Sequence, residues 1–289
     1  EGTDLALRQD GGYDFHLSES SLQNRVRSYE ALKAELNGDY PYEVLGHNAL
    51  LREEPRIGPK VAGAILHHED GHVNPLRLLR ALAGQVRRLG AKVKTGANVV
   101  RVEPQDGGFR ITMRDGARIA AGRVVLCAGL GAATLGPQLG FAAPVRPQRG
   151  QALITEKLAP MIKRPSSTIR QVDEGSIQIG SSHEDVGFDD GETLEVIARI
   201  AHWAIDVFPD LSRARLVRSW GALRVLTPDG LPVYQQSPQH PGAFLVTCHS
   251  GITLAAAHSR LLPLWLEQRP EAPNLEAFSE ARFKISSTV

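Results

Sequence analysis

Cysteine is almost missing from this sequence, with Cys127 and Cys248 alone among 289 residues. Two thiols cannot build the multi-bridge framework of a small secreted domain, and they provide no CxxC pair for redox or zinc chemistry. Each lies in or at the end of an apolar run, VVLCAG and FLVTC, and reads most simply as a small buried hydrophobe. Long hydrophobic runs are lacking as well. No stretch has the unbroken apolar length of a membrane-spanning helix, and no apolar signal core follows Glu1. A net charge of only +1 offers no field for steering nucleic acid or an anionic membrane. Neither a Ser-His-Asp order nor a Walker loop occurs, so hydrolase and nucleotide-phosphatase chemistry find no support. What is present is an ordinary globular composition, 42% hydrophobic and 22% charged, which argues against disorder. The length suits one large domain or two interleaved ones.

Residues 1–16 show no sustained period and read as irregular. Over residues 18–37, Leu22, Val26, Tyr29 and Leu36 recur at helical spacings between leading serines and Asn37-Gly38, which predicts a capped amphipathic helix. Residues 40–51 read as strand or loop. A strand over residues 61–66 leads into His67, His68, Glu69, Asp70, Gly71 and His72. Three histidines and two carboxylates invite a metal reading, yet the spacing fits no zinc motif, so a polar turn is favoured. A helix then opens with Asn74 as cap and Pro75 at its first position, presents Leu76, Leu79, Leu82, Val86 and Leu89 on one face, and stops at Gly90.

Strands are expected over residues 91–94, 99–103, 109–113 and 124–128, with DGG and RDGAR turns between them. That order is the second half of a dinucleotide-binding domain. Residues 144–156, 169–172 and 176–181 read as further strands. A helix over residues 192–208 uses Leu194, Ile197, Ile200, Ala204 and Val207 as its core face. The stretch around which the chain is organised follows: a strand over residues 216–226, a turn at Pro228, Asp229 and Gly230, a buried strand over residues 243–248, and a helix opening at Gly251. A strand that turns directly into a helix leaves backbone N–H groups facing whatever sits before them, a place for an electron-rich ligand.

The order LRxxTPDGLP, apolar strand, CHSGITLAAAH, apolar helix resembles the C-terminal part of the D-amino-acid-oxidase-like flavoproteins. It resembles above all the β-subunits of opine, hydroxyproline and cyanide-forming glycine dehydrogenases. DGHVNPLRLLRAL over residues 70–82, VVLCAGLGAATL over 124–135 and PVRPQRGQALITE over 144–156 agree in the same order, so the resemblance covers residues 53–283. It implies an α/β plus α+β fold, in which a Rossmann-like FAD-binding domain (residues 1–38, 64–140 and 229–289) is interleaved with an antiparallel-sheet substrate domain (residues 39–63 and 141–228).

The implied chemistry is hydride transfer from the carbon beside an amine to flavin N5, followed by hydrolysis of the imine. Arg224 is then the partner of the substrate carboxylate, because a guanidinium fork meets both oxygens. Val225 stands where the family usually has proline. His249 falls beside the flavin ring, to polarise it, orient substrate or cap the helix. Val99, Ala128 and Gly129 are implied FAD contacts, and Gly251, Ile252, Thr253 and Leu254 implied backbone donors to the pyrimidine edge, where they favour the reduced flavin. His183 and Trp220 are candidate pocket walls, with Trp220 equally a core residue. Asp229 and Gly230 shape the turn rather than react.

The departure from the family is the first strand with its GxGxxG turn, which residues 1–16 do not contain, together with a shortened segment between Gly46 and Arg52. The sequence is therefore expected to belong to a longer protein. The leading reading is a cytoplasmic FAD-dependent amino-acid or amine dehydrogenase or oxidase, a β-subunit whose partners pass electrons onward and are the route to any membrane association. The competing one is a flavin-free scaffold subunit of the same fold.

Overall fold

The computed structural model describes residues 3–283. The N-terminal part holds β1 (Gly12–His16), α1 (Glu19–Glu35), β2 (Glu43–Gly46), α2 (His47–Glu53), β3 (Gly63–His67) and α3 (Pro75–Arg88). A strand-rich stretch follows, with β4 (Val99–Gln105), β5 (Gly108–Met113), β6 (Arg118–Ala121), β7 (Val124–Leu126) and the single turn α4 (Ala132–Leu135). Next come β8 (Arg146–Lys157), β9 (Ile169–Gln171), β10 (Ser176–Gly180), α5 (Leu194–Val207) and β11 (Leu216–Leu226). The last elements are β12 (Val233–Gln236), β13 (Ala243–Thr247) and α6 (Ala255–Leu266).

Two compact units divide the chain. The first takes the residues up to Ala91, Gly150–Glu184 and Asp190–Ala222. Its antiparallel sheet β1-β3-β2 buries Tyr13, Phe15, Leu45 and Leu66 in a core shared with Leu153, Ile177, Ile200 and Phe208. The strand β1 lies where an irregular segment was expected. Both its faces are covered, so its residues cannot show the alternation that marks a half-exposed strand. The helix α2 was missed for a related reason, since seven residues are too few to display a helical period, although Leu50 is fully buried by it. Capping did guide the reading correctly. Ser18 accepts from the Ser21 N–H at 3.2 Å, and Asn74 accepts from the N–H groups of Leu76 and Arg77 at 3.1 and 3.2 Å.

The second unit comprises Lys92–Arg149, Asp185–Asp189 and the residues from Leu223 onward. Its meander β4-β5-β6 is antiparallel, whereas β13 pairs with β7 in parallel, Ala243 opposite Val124. Every residue of β13 is buried. Leu126, Leu135, Leu139, Phe141 and Leu245 form the local core. Residues 91–94 form no strand, because no neighbouring strand among the described residues offers them a ladder. Among the described residues nothing covers the apolar face of α3: Leu76, Leu79 and Leu89 are 77, 64 and 76% exposed. The division between the two units falls after Ala91, just beyond α3.

One buried carboxyl makes the first unit sensitive to pH. Glu54 is 1% exposed, accepts from the Lys163 N–H at 3.1 Å, and has its pKa pushed up to about 7 by burial, against the opposing pull of the backbone N–H groups of Lys163 and Arg164. A carboxyl whose folded pKa exceeds its unfolded value holds its proton more tightly when folded, so stability falls as pH rises through the window from about 4.5 to about 7 and then levels off. Glu54→Gln is expected to abolish that fall and to be at least as stable as the parent at pH 8. Urea unfolding at pH 5 and pH 8 measures it, and an undiminished pH dependence in the variant would reject the assignment.

Candidate functional site

In the second unit, β7 ends in Ala128 and Gly129, and Gly129 adopts φ +55, a backbone conformation that L side chains rarely take. A Cβ there would meet only the Val225 Cγ2 at 3.4 Å, so conformation rather than crowding within the chain calls for glycine. Val99 opens β4, half-buried against the local core. Cys127, expected to be buried, is exposed because it falls just beyond the three-residue strand β7, which is the outer strand of its sheet among the described residues; Cys248 is half-buried. Both are free thiols.

The stretch after β13 carries the most distinctive geometry. His249 is exposed, its Nδ1 3.3 Å from the Ser250 Oγ. Residues 251–254 form a turn, and α6 begins only at Ala255 instead of at Gly251. The Leu254 N–H is already given to the Ser250 carbonyl at 3.0 Å, and the Ala255 N–H to the Ile252 carbonyl at 3.1 Å. Of the expected donors, Gly251, Ile252 and Thr253 have backbone N–H groups with no acceptor among the described residues, whereas that of Leu254 is taken. Behind them, the Tyr234 hydroxyl lies 2.7 Å from the His258 Nε2, tying α6 to β12.

Arg224 is half-buried in β11 and donates from Nη1 to the Arg149 carbonyl at 3.2 Å. Arg149, 4% exposed, holds Asp189 at 2.6 Å. Asp229 accepts from the Arg282 Nε at 2.7 Å and Nη2 at 3.1 Å and from the Leu231 N–H at 3.0 Å, and the Arg282 hydrogen bonds draw its carboxyl down to about 2. With Gly230 at φ +77, these bonds fix the TPDG turn and leave Asp229 in a structural role.

The histidine-rich segment disperses. His67 stacks edge-on with Tyr29 and Tyr40, His68 lies 3.5 Å from Glu43, Asp70 accepts from the Gly71 N–H, and His72 bridges to Arg8. Of the candidate pocket walls, His183 is exposed, and Trp220 lines a cavity of about 390 Å³ within the first unit. That cavity also contains Arg170 and Gln178, which the sequence reading did not single out. The available signal was the hairpin register: a turn around Gly175 sets Arg170 directly opposite Gln178.

A family model described as FAD dependent oxidoreductase matches residues 1–262. The chain belongs to this family. FAD is its cofactor, and the residues of this FAD-dependent oxidoreductase suit part of that role, since three open N–H groups in succession make a cradle for an electron-rich edge. A subunit of opine oxidase from Agrobacterium tumefaciens is 39% identical over 289 residues, which is all of this chain and 78% of the relative. Hydrogen cyanide synthase subunit HcnC of Pseudomonas aeruginosa is 30% identical over 249 residues, 83% of this chain and 60% of that one. Among solved structures, glycine oxidase from Geobacillus kaustophilus matches with a TM-score of 0.88 and 26% identity, covering 96% of this chain and 76% of its own. Two of these relatives are named as subunits. No helix among the described residues is long and apolar enough to cross a membrane.

Proposed function

We propose that this FAD-dependent oxidoreductase oxidises the CH–NH bond of an amino acid or secondary amine acid, such as an opine, hydroxyproline, glycine or a D-amino acid, as the β-subunit of an electron-transferring complex. The observation that carries this reading is the run of three open backbone donors at Gly251, Ile252 and Thr253 where β13 turns toward α6. FAD, when bound, supplies the acceptor for a hydride from the carbon beside the amine, and water then converts the imine to a carbonyl. The three N–H groups would face the edge that gains negative charge, which lowers the free energy of the reduced form. Val99, Ala128 and Gly129 belong to the same unit and would border the cofactor. Arg224 would fix the substrate carboxylate, so that the chain supplies position and charge instead of a general base. His249, exposed beside the donors, would orient substrate. A flavin-free scaffold would have no use for open donors at this turn.

The test is an anaerobic absorption spectrum of the full-length protein with its partner subunits. Flavin bands that bleach on adding one of the candidate amino acids are expected, and reoxidation by air against a quinone or dye then separates oxidase from dehydrogenase. An intact complex that shows no flavin bands even with added FAD would sink the reading and leave the scaffold.

A further inference from the structure

The sequence of β13, AFLVT, is apolar up to its last residue. Alternation puts Ala243, Leu245 and Thr247 on one face of the sheet and Phe244 and Val246 on the other. Ala243 and Leu245 share a core with Leu126 and with Ala132 and Leu135 of α4, whereas Phe244 packs on Trp265 of α6 at 5.2 Å between ring centres. Thr247 is 4% exposed, and its Oγ1 has no hydrogen-bond partner among the described residues. Opposite it on β12, Val233 is fully buried and obeys the apolar rule that Thr247 breaks.

A hydroxyl in that place works against folding. Burial without a partner strips it of its hydrogen bonds to water, and valine, of the same shape and equally suited to a strand, would fill the space without that loss. The residue sits instead where a ligand needs it. β13 and β7 run parallel with Leu245 level with Leu126, so the register carried two residues further sets Thr247 level with Ala128, where the chain leaves β7 for the Gly129 turn. Just beyond Cys248, His249 and Ser250 come the open N–H groups of Gly251, Ile252 and Thr253. The carboxyl ends of parallel strands are the ligand-facing edge of an open α/β sheet. Backbone N–H groups can only donate, and the carbonyls of Ser250 and Ile252 are taken by Leu254 and Ala255. A hydroxyl can also accept. FAD brings donors of its own, the ring N–H and the ribityl hydroxyls, and these call for an acceptor.

We propose that the Thr247 Oγ1 binds FAD, accepting a hydrogen bond from a donor of the cofactor, and that the hydroxyl is held in a buried place which only the bound cofactor satisfies. The inference rests on the reading that the open donors at residues 251–253 face the flavin, and adds a side chain to them. It has a signature that a purely structural threonine would lack: the hydroxyl weakens the FAD-free protein and strengthens the loaded one.

The experiment uses the full-length complex and the variants Thr247→Val and Thr247→Ser. Free-flavin fluorescence recovered on diluting the holo complex gives the Kd for FAD, and urea unfolding gives the midpoint with and without a fixed excess of FAD. Thr247→Val is expected to raise Kd on the order of 10-fold, through one lost hydrogen bond and the cofactor donor left behind. Its midpoint without FAD is expected to equal or exceed that of the wild type, so the gain in midpoint on adding FAD narrows. Thr247→Ser keeps the hydroxyl and is expected to hold Kd within about 3-fold, while the lost methyl group lowers both midpoints. Equal weakening of FAD by valine and serine would assign the effect to packing and overturn the inference. So would a lower FAD-free midpoint in Thr247→Val, because the hydroxyl would then have a partner in the folded protein without the cofactor. A loaded Thr247→Val complex with wild-type Kd overturns this inference alone, whereas a wild-type complex that takes up no FAD overturns the reading of the open donors with it.

Discussion

Replacing Arg224 with methionine is expected to lower kcat/KM for the amino-acid substrate by on the order of 10²–10³-fold, carried mainly by KM, with the flavin bands unchanged. The size follows from the cost of removing one partner of a hydrogen-bonded charge pair, about 2–5 kcal/mol, where the substrate carboxylate would otherwise be left unpaired. Methionine retains much of the length of the side chain and its packing in β11, so that loss of charge is the main change. Arg224→Lys is the companion variant. It restores the charge but not the planar fork, and should recover part of the loss. Stopped-flow reduction of the bound flavin at several substrate concentrations measures both. A variant that reduces at wild-type rates with wild-type saturation would assign Arg224 to bracing the Arg149 carbonyl and remove it from substrate binding.

The largest effect on stability is expected at Phe208. It is fully buried, meets Phe15 edge-on at 5.7 Å between ring centres, and closes α5 with its N–H on the Ala204 carbonyl at 2.8 Å. Phe208→Ala should destabilise the protein by about 3–5 kcal/mol, because the lost transfer free energy is joined by the cost of a cavity that the surroundings cannot close. The surroundings are pinned: Gly58 donates to the Val207 carbonyl at 2.7 Å, and a Cβ at Gly58 would lie 2.3 Å from the Asp206 carbonyl, so backbone already touches backbone there. Set against a typical total of about 5–15 kcal/mol, such a loss leaves the variant near unfolding at about 37 °C. Equilibrium urea denaturation tests it, and a loss below about 1 kcal/mol would mean that the core repacks around the gap.

The sequence by itself settled the elements whose signals are local. Ser18 and Asn74 announced α1 and α3, the apolar face from Leu194 to Val207 announced α5, and β11 was legible end to end from residues 216–226. The motif order around Arg224 and His249 settled the family, since several spaced motifs in one order are hard to reach by chance. Tertiary structure decided what depends on who covers whom. β1 is buried on both faces and so shows no period, α6 opens at Ala255 because the Ser250 and Ile252 carbonyls close a turn first, and Cys127 is exposed because β7 stops one residue before it. The Arg170 cavity was hidden for the same reason: its walls come from four strands and the segment before α3, which meet only when the strands pair.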